Sequence, residues 1–170
     1  MPNFDPLTYR YSSRRNVVYA KNGVCCTSVP LGAQVGLDVL KNGGNAVDAA
    51  VAMAGAMPLL EPTGNGLGSD CFALVWIEKE KKLYGLNASG VAPMALSADE
   101  VRAKGFSEVP EEGWIPTMVP GAPTGWAALN RRFGTKPLSE LFAPAISYAE
   151  NGYAVPVNVG KLWAHDSRRI

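Results

Sequence analysis

Apolar positions along this chain change period from segment to segment, and each change predicts an element. Leu31, Val35, Val39 and Leu40 share one face at helical spacing, and Lys41 follows in the last turn, where a cation meets the negative end of the helix dipole. Gly43 and Gly44 supply the left-handed backbone that closes such a helix. Asn45, with Asp48 three positions on, has the pattern of a capping box that opens the next. That next helix, from Ala46 to Leu60, is mostly alanine and valine, so another backbone can press close against it, and Pro58 and Pro62 prevent its continuation. After the tight turn Gly64-Asn65-Gly66-Leu67-Gly68, the run Cys71 to Ile77 is continuously apolar and of strand length, which predicts a strand covered on both faces. The charged run Glu78 to Lys82 makes a turn, and Leu83 to Ala88 returns as the second strand of a hairpin ended by Ser89-Gly90.

Further along, Ser97 with Glu100 opens a short helix that Gly105 closes, and Phe106 to Pro120 has no period and reads as a long surface loop. A helix from about Pro123 to Phe133 carries Trp126, Leu129 and Phe133 on one face. Another places Leu141, Ala145, Tyr148 and Ala149 together and ends at Asn151-Gly152, with Pro144 expected near its first turn. Val155 to Ile170 begins a further helix. At the other end, Met1 to Asn22 is aperiodic and reads as an extended arm in which Val17 to Ala20 offer a short edge strand; Gly23 to Ser28 reads as a buried strand stopped by Pro30. The chain thus divides into an arm over residues 1–22 and a domain over residues 23–170, of mixed α/β class because an antiparallel hairpin alternates with helical layers.

Composition narrows the function. The 170 residues are 47% hydrophobic and 18% charged, as in a folded globular chain, and a net charge of +1 gives no electrostatic footing for a nucleic acid or a membrane surface. The apolar stretch Ala46 to Leu60 contains Asp48 and falls short of the ~20 residues of a membrane span. The opening residues have neither the basic nor the apolar segment of a secretory signal, so the expected compartment is the cytoplasm. Three cysteines, two of them adjacent at Cys25 and Cys26, point to small buried hydrophobes and not to a disulfide framework. Cys71 with His165 makes a weak nucleophile pair because nothing local activates the thiol. Asp48 and Glu61 read as a helix cap and a loop residue rather than paired acids. One histidine and no Cys-x-x-Cys spacing leave no metal site, and no cofactor is expected. The glycine turn leads from helix into strand, the reverse of the order in phosphate-binding loops.

Four stretches carry more. Gly43-Gly44-Asn45-Ala46-Val47-Asp48-Ala49-Ala50, Glu61 to Gly68, Val119-Pro120-Gly121-Ala122-Pro123 and Ala143 to Gly152 together resemble the gamma-glutamyltransferase family, from about Tyr9 onward. The resemblance implies an N-terminal-nucleophile hydrolase with a four-layer αββα sandwich, of which this chain is the N-terminal part of the large subunit. It also implies a threonine nucleophile, exposed by self-cleavage, in a downstream catalytic subunit of the same precursor. That subunit is the expected partner, no catalytic residue is expected in this chain, and the chain alone is expected to be inactive. The implied reaction moves a gamma-glutamyl group from glutathione or a related amide to water or an amino acceptor. In the family an arginine shortly before Ala-Pro pairs with the substrate α-carboxylate. Here the segment is Leu86-Asn87-Ala88-Ser89-Gly90-Val91-Ala92-Pro93, and neither Ser89 nor Val91, the two positions that match, is basic. Ser89, Gly90 and Val91 are the expected substrate-binding residues. A serine offers a single hydrogen bond in place of a charged fork, which opens the alternative of an acylase-type amidohydrolase of the same family. Arg102 as a replacement falls on the following helix. A non-catalytic structural module is the remaining alternative.

Overall fold

The computed structural model describes residues 17–167, so the expected arm lies mostly outside the described residues. In chain order the elements are α1 (Pro30–Lys41), α2 (Ala46–Leu60), β1 (Cys71–Ile77), β2 (Lys82–Ala88), α3 (Ala98–Ala103), α4 (Ala122–Phe133), α5 (Leu138–Asn151) and α6 (Val157–Asp166). Residues 17–20 and 23–28 form no strand. A strand exists only where a neighbour accepts its ladder bonds, and the described sheet has two strands, β1 and β2, paired with each other. Without that strand Cys26 is exposed and Cys25 only half-buried, against the expectation that both are buried; the cysteines are free thiols.

α2 is the centre of the packing. It is apolar on every side, which suits a helix that other elements surround. α1 lies on one side of it and α4 and α5 on the others, while α4 also meets both strands. Val51, Ala52, Ala56 and Leu60 of α2 join Val35, Trp126, Leu129 and Leu141 in one buried cluster. The Asn45 side chain accepts from the Val47 and Asp48 amides at 2.8 and 2.9 Å, and the Asp48 carboxylate accepts from the Asn45 amide at 2.9 Å, closing the capping box that the sequence predicts. Pro58 sits inside the last turn, and the helix runs on past it to Leu60 before the Glu61 amide bonds the Met57 carbonyl. Pro144 likewise lies deeper in α5 than its first turn. The lost amide donor is tolerated there because Leu141, Phe142 and Ala145 hold the helix against the core.

The hairpin pairs Cys71 with Ala88 through Ile77 with Lys82. Its alternation puts Cys71, Ala73, Val75 and Leu86 against the core, while Phe72, Leu74, Trp76 and Leu83 are 63%, 78%, 53% and 56% exposed. The expectation of a strand covered on both faces is therefore corrected. Helices cover one face, and among the described residues nothing covers the other. α6 is tied back through Val159, which is buried, and through the hydroxyl of Tyr153, which donates to the Leu59 carbonyl at 2.5 Å. Among the described residues no helix is long and apolar enough to cross a membrane.

Candidate functional site

At the end of β2 the chain turns through Ser89, Gly90 and Val91. The Ser89 amide donates to the Asn87 side chain at 3.0 Å, and Gly90 has φ +78°, a backbone that side-chain-bearing residues rarely adopt. Opposite lies the strap Val119-Pro120-Gly121, which leads into α4. The Val119 amide donates to the Val91 carbonyl at 3.0 Å, and the Gly121 and Ala122 amides both donate to the Ser69 carbonyl, at 3.1 and 2.8 Å. Between turn and strap, floored by Gly125 and Ala128 of α4, opens a cleft of about 620 Å³. It brings together Ser89, Gly90 and Val91, the three residues the sequence singled out.

The lining is uncharged. Asn87, Ser89 and Thr124 are the polar side chains among its residues. Thr124 donates to the Gly121 carbonyl at 2.7 Å and is held by that bond. Ser89 makes a longer contact, 3.3 Å to the Gly90 carbonyl, so its hydroxyl can turn to a ligand. Arg102 lines a different depression with Leu96 and Val101 and bonds Asp99 at 3.1 Å on its own helix.

The other candidate groups serve structure. Asp48 is fully buried and accepts from the Thr135 hydroxyl at 2.5 Å as well as from the Asn45, Thr135 and Lys136 amides. Burial alone would push its pKa up, but these donors outweigh it and hold the carboxyl below the ordinary value. Glu61 accepts from Ser28 at 2.6 Å and from Asn65 at 3.0 Å, bracing the glycine turn. Burial, and then the neighbouring Asp70 charge, push the Cys71 thiol up, the opposite of an activated nucleophile. His165 is exposed on α6 and faces Asp166 at 3.2 Å. Among the described residues no three His, Cys, Asp or Glu side chains gather as metal ligands would.

Sequence reasoning missed the strap. Val119 to Pro120 reads as the end of a surface loop, and only the motif Val-Pro-Gly-Ala-Pro signalled that the stretch was special. The family model described as gamma-glutamyltranspeptidase matches residues 32–170. The chain belongs to the gamma-glutamyltranspeptidase family. The glutathione hydrolase proenzyme of Bacillus subtilis (strain 168) is 33% identical over 150 residues, covering 85% of this chain and 25% of that protein. The crystal structure of a cephalosporin acylase from Bacillus halodurans superimposes with a TM-score of 0.88 at 57% identity, over 98% of this chain and 31% of that one. For the gamma-glutamyltranspeptidase of Helicobacter pylori the TM-score is 0.83 at 31% identity, over 90% of this chain and 44% of that one. This chain therefore spans about a quarter of the length of the curated relative. Its fold is a partial α/β domain of the N-terminal-nucleophile hydrolase class, and the match covers the N-terminal portion of family members that are made as proenzymes.

Proposed function

We propose that this chain is the front segment of an N-terminal-nucleophile amidohydrolase that passes a gamma-glutamyl group from glutathione or a related amide to water or an amino acceptor. The nucleophile is a threonine carried further along the same polypeptide, its own amine acting as base and backbone amides receiving the oxyanion. Ser89, Gly90 and Val91 form one wall of the acyl subsite. The observation that carries this reading is the cleft at the end of β2, where the Ser89 hydroxyl makes only a 3.3 Å contact to the Gly90 carbonyl, on a hairpin whose other face is apolar and bare and would be covered by a second layer from the rest of the protein. The test is turnover of a gamma-glutamyl anilide. The intact protein is expected to hydrolyse it and the 170-residue chain alone to be inert; turnover by the isolated chain overturns the proposal, and an intact protein that processes no amide leaves a non-catalytic module.

The uncharged lining favours a second reading, an acylase-type enzyme whose acyl group bears no free α-amino acid head. A carboxylate drawn into a cleft without a cation loses hydration that nothing returns. The likeness to a cephalosporin acylase is in keeping with it. Here the intact protein prefers an amide whose acyl group has no carboxylate, such as a butyryl anilide, over a gamma-glutamyl one, and Ser89→Arg shifts the preference toward gamma-glutamyl. A wild-type preference for gamma-glutamyl removes this second reading.

A further inference from the structure

Two glycines meet backbone to backbone at the cleft. A β-carbon on Gly90 would overlap the Val119 carbonyl oxygen, and one on Gly121 would overlap the Ala88 carbonyl oxygen, so the strap and the turn lie closer than any side chain allows. Hydrogen bonds hold them there: Val119 N–H to the Val91 carbonyl, and Gly121 N–H to the Ser69 carbonyl just before β1. In the stretch between the two partners, from residue 92 to 118, Met94 and Trp114 are almost fully exposed while Val101 is buried. The far end of this stretch is thus clamped beside the turn. Gly121 itself is buried and caps α4, a helix packed on the core through Trp126 and Leu129.

From this we infer that Gly121 is a positioning residue: by letting the strap press on the backbone of Ala88 to Gly90, it sets where Ser89 and Val91 stand and therefore the shape of the acyl subsite. The inference rests on the reading of Ser89 to Val91 as the subsite wall. A methyl group at Gly121 moves strap or turn by an ångström or so, a displacement that can cost orders of magnitude in a positioned site. Because the reacting threonine lies elsewhere, the loss falls on binding and not on the chemical step.

The experiment uses the intact, processed protein and whichever of a gamma-glutamyl and a butyryl anilide it hydrolyses better. Gly121→Ala is expected to raise KM about tenfold with kcat within about twofold. Gly55→Ala, whose methyl would collide with the Phe142 ring of α5, serves as the control for destabilisation alone and lowers Tm with KM unchanged. If Gly121→Ala lowers Tm and leaves KM as Gly55→Ala does, the inference is wrong. Should Gly121→Ala not fold, Val119→Pro removes the amide that bonds Val91 while keeping the glycine; an unchanged KM there also overturns the inference. Ser89→Arg separates the layers: if it alters KM while the strap variants do not, only the positioning role fails, and if it too alters nothing the subsite reading falls with it.

Discussion

Around Asp48 two segments distant in sequence converge: the start of α2 and the link from α4 to α5 both donate to one buried carboxylate, and the apolar side chains behind it are sealed. Across the hairpin the opposite holds. Phe72, Leu74 and Trp76 stand in a row on the outer face of β1, with Leu83 beside them on β2, and none of them joins the buried cluster. The helical side is closed by its own contacts, whereas the sheet side resembles an interior cut open. Exposed apolar rows of this kind mark surfaces that another structure covers. The cleft lies at the border between the two, walled by a turn from the open hairpin and a strap anchored to the closed helices.

The closed side is the easiest to break. Asp48→Ala in the intact protein leaves several buried donors without an acceptor and is expected to cost about 4 kcal/mol in urea unfolding. A loss near 1 kcal/mol would show that water replaces the carboxylate and that this side is less sealed than described. Acid should act through the same group. Its folded pKa is below its unfolded value, near 3.9, so its contribution is complete above that value and disappears as the pH falls through the lowered folded one. The wild-type protein is therefore expected to lose stability toward strong acid, and Asp48→Ala to lose less of what remains. Next in size is Leu60→Ala. Leu60 is fully buried, and the cavity should cost about 3 kcal/mol, read as a shift in the denaturation midpoint at constant m-value.

Local signals made much of the closed side legible. Asn45 and Asp48 sit three apart before an apolar run, so a cap could be read without knowing the fold, and the structure places it as expected. The hairpin was legible because a charged turn separates two runs of strand length. What stayed hidden depends on partners far away in sequence. Thr135, 87 residues beyond Asp48, completes the carboxylate's donors, and no pattern near either residue announces it. Gly23 to Ser28 has strand composition but among the described residues meets no strand to pair with. For β1 the continuous apolar run read as burial on both sides, and the described residues supply cover for one. Ser89 to Val91 were found through the resemblance, while the strap facing them looked like loop because its tight fit lies in what Gly90 and Gly121 lack, and a missing β-carbon leaves no periodic trace.

The open face gives a sharper comparison. Leu74→Lys changes a residue that is 78% exposed, so in the 170-residue chain it should shift stability by less than about 0.5 kcal/mol. In the intact protein the same change would bury a lysine under the covering layer and lower Tm by several degrees, on the order of what ~2 kcal/mol produces. Equal, small effects in both would mean that the row remains bare in the whole enzyme, and the sheet would then need another explanation.

The smallest effect concerns Arg102, which decides whether the cleft is as uncharged as it looks. Its contact with Asp99 joins two exposed side chains one turn apart, and such pairs contribute about 0.5 kcal/mol or less. Arg102→Ala should therefore leave stability nearly unchanged. Its KM for a gamma-glutamyl amide should also be unchanged, because the guanidinium lies in another depression, beside Leu96 and Val101. A rise in that KM without a loss of stability would mean that α3 swings toward Ser89 when substrate binds. The residues from 92 to 118 would then supply the missing charge, and the preference for an uncharged acyl group would have to be given up.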